Sequence, residues 1–134
     1  NLKEIGIEVT LEPMETATLK SACVDGSHEL FLWRWNEDSK VDFVYRDLYY
    51  TGSGSNYHHY SDPKADELID TVATEKDPEL RLAAAQELQE YLVNACPQVP
   101  LYIANLVVAY NKNLQGQYFY GGGNHDWRHA YIAE

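Results

Sequence analysis

The sequence has little that would cross-link it, bind a metal or carry it into a membrane. Only two of its 134 residues are cysteine, Cys23 and Cys96, too few for a disulfide scaffold. Both fall in helix-like stretches, where a small buried thiol is the default, and one disulfide stays open if the chain works outside the cytoplasm. No apolar run is long enough to span a membrane, and no basic-then-apolar leader stands at the start. Positive charge is scarce: 10 Lys and Arg against 21 Asp and Glu leave a formal net charge of -11. That surface repels phosphates, which argues against nucleic acid and against anionic membrane as direct partners. There is no nucleophile elbow, no HExxH helix and no paired CxxC. With no nucleophile and base to assemble, the chain is expected not to be an enzyme.

What is present is one domain's worth of chain, enough to bury a core. It carries 11 Tyr and three Trp, rings that suit binding surfaces and sheet faces alike. Leu2 to Ile5 followed by Gly6 reads as a helix tail, so the chain is expected to continue something longer. Ile7, Val9 and Leu11 alternate with polar residues through Glu12, which predicts a half-buried strand closed by Pro13. Met14 to Val24 is expected to be helical, and Asp25-Gly26-Ser27 a turn. The apolar run from Leu30 to Trp35 predicts a strand covered on both faces. Val41 to Tyr50 is expected to be a helix with Val41, Val44, Tyr45 and Leu48 on one face. Residues 51–60 form a Gly/Ser/Asn loop.

Asp62-Pro63 and Asp77-Pro78 each combine a capping carboxylate with a proline at the first helical position. Ala65, Leu68, Ile69, Val72 and Ala73 keep helical spacing after the first. Leu80, Ala84, Leu88, Tyr91, Leu92 and Ala95 do so after the second. Pro97 and Pro100 lead into strand-like runs at residues 101–103 and 106–110, and three glycines at 121–123 make a turn. Strands separated by helices predict an α/β layer structure, a mixed α+β arrangement with the sheet flanked by helices.

Five histidines raise the question of a metal. His58 and His59 are adjacent and must diverge, whereas His125 and His129 converge only if that stretch is helical, and it has no helix start. A zinc site wants three or four convergent ligands, so solvated loop histidines are the simpler reading and no metal or cofactor is expected. Asp66, Glu67, Asp70, Glu87 and Glu90 read as solvent-facing helix charge. The segment Trp33-Arg34-Trp35-Asn36-Glu37-Asp38 is the most informative. It delivers aromatic and acidic side chains at a strand end, where ligands settle in open α/β sheets. Two readings stand side by side: a ligand site with stacking area and an Asp38 carboxylate for an ammonium group, or core tryptophans and a helix cap.

The pattern as a whole resembles the peptide- and nickel-binding extracytoplasmic solute-binding proteins of ABC importers, the bacterial family 5. The segments that carry the resemblance run in order through the chain. They are residues 2–9; Leu32 to Asp38, where a Trp precedes an Asp by three; Gly54 to Ile69; Asp77 to Arg81; Cys96 to Tyr102; and Val107 to Gly116. No single motif is decisive, and their collinearity is what makes the match specific. The resemblance implies one lobe of a two-lobe, type II-like clamp that closes on its ligand by hinge motion. Residues 1–125 would be the C-terminal ligand-binding lobe and 126–134 a tail returning to the first lobe. By the same resemblance, Asp38 pairs with a peptide's α-ammonium, Trp35 forms pocket wall, backbone around Trp33 and Arg34 meets an added peptide strand, and Asn36 is counted with these ligand-binding residues.

Arg34 stands where peptide binders usually have Gly, so it either narrows the pocket or takes a ligand carboxylate. The implied partners are a peptide or other small ligand and a membrane permease, with the membrane reached only through that permease or through a lipid anchor outside this chain. The implied location is extracytoplasmic. The rival readings are a nickel or metal-chelate binder of the same fold, and a sensory or interaction domain reusing the lobe.

Overall fold

The computed structural model describes residues 1–35, 41–105, 107–119 and 124–133. They divide into two compact units, Asn1–Phe31 and Leu32–Glu134. The fold class is mixed: helices occupy the first two-thirds of the chain and short antiparallel strands the last third.

In the first unit, a single 3-10 turn over Leu2–Ile5 is closed by Gly6 in the left-handed conformation. Glycine adopts that backbone without a Cβ penalty, as the Ile-Gly sequence predicts. Helix α1 spans Thr16–Asp25, and Gly26 ends it at φ 68°. The Gly26 amide donates to the Cys23 carbonyl at 3.3 Å and the Ser27 amide to the Ala22 carbonyl at 3.1 Å, so two carbonyls that the helix end would orphan are satisfied. Cys23 on α1 is fully buried, and that burial pushes its thiol pKa up.

The second unit is built on three helices, α2 (Val41–Tyr49), α3 (Pro63–Thr74) and α4 (Pro78–Ala95). Both expected caps form. The Asp62 carboxylate accepts from the Lys64 amide at 2.9 Å, and that of Asp77 from the Glu79 and Leu80 amides at 2.9 and 3.1 Å. Each such cap stabilises a helix start by roughly 1 kcal/mol. The core lies where α3 packs against both α2 and α4, and it joins Leu48, Tyr49, Ala65, Leu68, Ile69, Val72, Leu88 and Leu92. The α4 stripe is buried only in its middle. Leu80 and Ala95, expected to face inward, are exposed, and among the described residues neither joins the core. Ala73 on α3 is exposed in the same way.

The strands do not lie where periodicity places them. Among the described residues, 7–12, 30–35, 101–103 and 107–110 join no ladder, and Leu106 is outside the described set. Alternation prescribes a face, but a strand also needs a neighbour to bond and a layer to cover it. Ile7, Val9 and Leu11 have neither and are exposed.

The ladders form instead at the end of the chain, as two nested antiparallel pairs. Strand β1 (Leu114–Gln115) pairs with β4 (Tyr131–Ile132), and inside it β2 (Tyr118–Phe119) pairs with β3 (His125–Asp126). The outgoing side spends two residues between the ladders, Gly116 and Gln117. The returning side spends four and folds them into a turn in which the Ala130 amide donates to the Trp127 carbonyl at 3.0 Å. Gly116 makes that mismatch possible. Its φ is +71°, and a Cβ there would sit 2.1 Å from the His129 carbonyl oxygen, so no side chain fits.

Candidate functional site

The segment from Leu32 to Trp35 alternates in burial, with Trp33 and Trp35 half-buried and Leu32 and Arg34 exposed. The two indoles therefore share one face. Their ring centroids are 6.1 Å apart, and each lies 5.5 Å from the Tyr57 ring, Trp33 edge-on at 82° and Trp35 tilted at 30°. Edge-to-face and offset contacts at these distances add roughly 0.5–1.5 kcal/mol per pair beyond the area they bury. Trp35 also packs on the helical core. Trp35 thus leans on the core, and the two indoles with Tyr57 make a continuous aromatic face. Arg34 points to the other side of the alternation. Asn36 and Asp38 lie outside the described residues.

Tyr57 is the residue that motif reading did not single out. It is buried at 5 % exposure in the loop between α2 and α3, and it is the hub that both tryptophans touch. The loop is fastened at its base. The Thr51 amide donates to the Asp66 carboxylate at 2.9 Å, and the Ser53 hydroxyl to the Asp47 carbonyl at 2.6 Å. Arg46 binds Asp70, to which the Tyr50 hydroxyl also donates, and the Arg46 guanidinium lies 4.5 Å over the Tyr50 ring. Asp66 and Asp70, read from sequence as solvent-facing charge, are therefore ties between α3 and the chain before it. The exposed Arg46–Asp70 pair fixes direction more than it adds stability.

The same loop leads into a second polar cluster. The Tyr91 hydroxyl on α4 donates to Asp62 at 2.7 Å and that of Tyr60 at 3.0 Å, while the other carboxylate oxygen caps α3. These donors, Tyr91 first, hold the Asp62 carboxyl below its ordinary range. Burial, and then the hydrogen bond to Asp62, push the Tyr60 phenol up to about 12. The Tyr91 phenol is also raised, chiefly by its bond to Asp62. This cluster ties α3 to α4 and offers no unshared group for chemistry.

The histidines diverge. The His58 ring lies 5.5 Å from that of Tyr49, and His59 is exposed with φ +50°. His125 is on β3 and His129 in the turn before β4, so no helix brings them together. His125 instead stacks on Trp127 at 5.3 Å. Among the described residues no three metal-ligating side chains converge, and no helix is long and apolar enough to cross a membrane.

No protein-family model matches the chain. Three curated proteins do. The chain is 27% identical over 135 residues to the probable ABC transporter periplasmic-binding protein SapA of Escherichia coli K12, covering 98% of this chain and 25% of that protein. It is 25% identical over 120 residues to the peptide transport periplasmic protein SapA of Salmonella typhimurium LT2, covering 87% and 22%. It is 23% identical over 123 residues to the probable D,D-dipeptide-binding periplasmic protein DdpA of Escherichia coli K12, covering 89% and 24%. The chain spans about a quarter of the length of these relatives. Over most of its own length the chain is similar to periplasmic binding proteins of transport systems.

Proposed function

We propose that this chain is the C-terminal ligand-binding lobe of a two-lobe solute-binding protein that captures peptides outside the cytoplasm and hands them to an ABC permease. In this reading residues 1–125 are the lobe and 126–134 the segment directed to the first lobe. The role is noncatalytic. The observation that carries the site is the aromatic face of Trp33, Trp35 and Tyr57. It stands immediately before Asn36 and Asp38 in a chain whose relatives bear peptide-transport and dipeptide-binding names. The helices and small sheets suit a lobe of such a clamp. Rings supply wide, rigid contact area at low entropic cost, and an adjacent carboxylate supplies the counter-charge for an α-ammonium. Asp38 takes that ammonium, Trp35 walls the pocket, and Arg34, on the opposite side of the alternation, faces away from the aromatic wall.

The test is calorimetric titration of the full-length protein with tri-alanine, with D-alanyl-D-alanine and with a nickel chelate. Peptide binding that weakens by about 1.5–3 kcal/mol in Asp38→Ala, as for a lost charged hydrogen bond, is the expected result. Unchanged peptide affinity in that variant overturns the role of Asp38. Binding of the nickel chelate alone overturns the peptide assignment.

A further inference from the structure

Asn56 is 6 % exposed, the most enclosed polar side chain of the loop between α2 and α3. A polar group so buried must have its hydrogen bonds made internally. Three are. Its Nδ2 donates to the Tyr50 carbonyl at 3.1 Å and to the Tyr60 carbonyl at 2.7 Å, and its Oδ1 accepts from the Tyr60 amide at 3.1 Å. Tyr50 follows the last turn of α2 and Tyr60 lies just before the cap of α3, so one side chain staples both ends of a ten-residue excursion. Tyr57 is the next residue in the chain. Its amide donates to the Ser55 carbonyl at 2.9 Å, and the His59 amide donates to the Asn56 carbonyl at 3.1 Å, with His59 held at φ +50°. The staple therefore fixes the one turn from which the Tyr57 ring reaches Trp33 and Trp35.

We infer that Asn56 is a positioning residue for ligand binding: it sets the height and tilt of Tyr57, and through Tyr57 the aromatic face of Trp33 and Trp35. This rests on the peptide-binding reading above. The chemistry admits few substitutes. Asp has the acceptor but no donor and would set a carboxylate against two carbonyls. Ser is too short to span both strands of the loop, and Gln carries the amide one methylene too far. The base of the loop keeps its own ties through Thr51 and Ser53, so loss of Asn56 loosens the tip and leaves the helices standing.

The experiment uses the full-length protein with Asn56→Ser, Asn56→Asp and Leu92→Ala, the last a core residue of α4 outside the loop. Affinity for tri-alanine is read by calorimetry, and local opening by hydrogen exchange of the segments covering residues 31–35 and 78–95. The expected result for both Asn56 variants is roughly a ten-fold loss of affinity, the scale of one hydrogen-bond network. Faster exchange at 31–35 accompanies it, with 78–95 unchanged. Leu92→Ala lowers Tm and leaves affinity intact. Unchanged exchange at 31–35 overturns the positioning role, and changed exchange with unchanged affinity overturns its part in binding. If the parent protein binds no peptide, the peptide reading falls by itself and takes the binding role with it. The exchange at 31–35 then decides whether Asn56 positions the aromatic face.

Discussion

At the scale of single residues, the clearest thermodynamic signature belongs to Tyr60. Its phenol keeps its proton up to about 12, whereas an unconstrained tyrosine releases it near 10. Between these values the native chain holds a proton that the unfolded chain has lost, so stability falls as pH rises through the window. The contribution is fully present below pH 10. Denaturant titrations at a series of alkaline pH values should show this decline, and Tyr60→Phe should flatten it. Asp62 acts with the opposite sign, since its folded pKa is depressed. Its contribution is present above the ordinary carboxylate value of 3.8 and fades as pH falls through the lowered one. The pair is legible in sequence only in part. Asp62 before Pro63 announces a cap, but nothing local says that Tyr91, 29 residues later, will bring its hydroxyl to the same carboxylate.

At the scale of elements, the helices follow from the chain and the strands do not. Capping residue, first-turn proline and a 3.6-residue stripe act within one or two turns, so α3 and α4 start where Asp62 and Asp77 say. Their packing concentrates stability in a few side chains. Leu88 is fully buried where α4 meets α3, and Leu88→Ala should cost about 3 kcal/mol, a transfer loss plus a cavity. The shift of a urea midpoint measures it. Leu80, on the same stripe and exposed, marks the limit of the argument, because a stripe states what a helix offers and only a neighbour makes it core. The segments at 7–12 and 101–103 make the same point for strands.

At the scale of the whole molecule, the acidic surface and the quarter-length match to the relatives bear on how the chain works. A two-lobe clamp binds by enclosing its ligand, so one lobe offers part of the contact area and pays the full loss of ligand freedom. On the proposed reading, this 134-residue chain alone should bind tri-alanine far more weakly than the full-length protein does. Side-by-side calorimetry checks it, and equal affinity would show that the aromatic face suffices without a second lobe.

The sequence by itself determined the capped starts of α3 and α4, the glycine-closed ends at Gly6 and Gly26, the mixed class and the collinear likeness to solute-binding proteins. It also marked Trp33 and Trp35 as the place to look. All of these rest on interactions spanning a few residues, or on an order of segments that can be read along a line. Tertiary structure alone decided that Tyr57 joins the two indoles, that Asn56 staples the loop carrying it, and that Tyr60 and Tyr91 share Asp62. It also decided that the ladders form around Gly116 and not in the apolar runs. Each of these depends on where a distant segment comes to rest, and local periodicity holds no information about that.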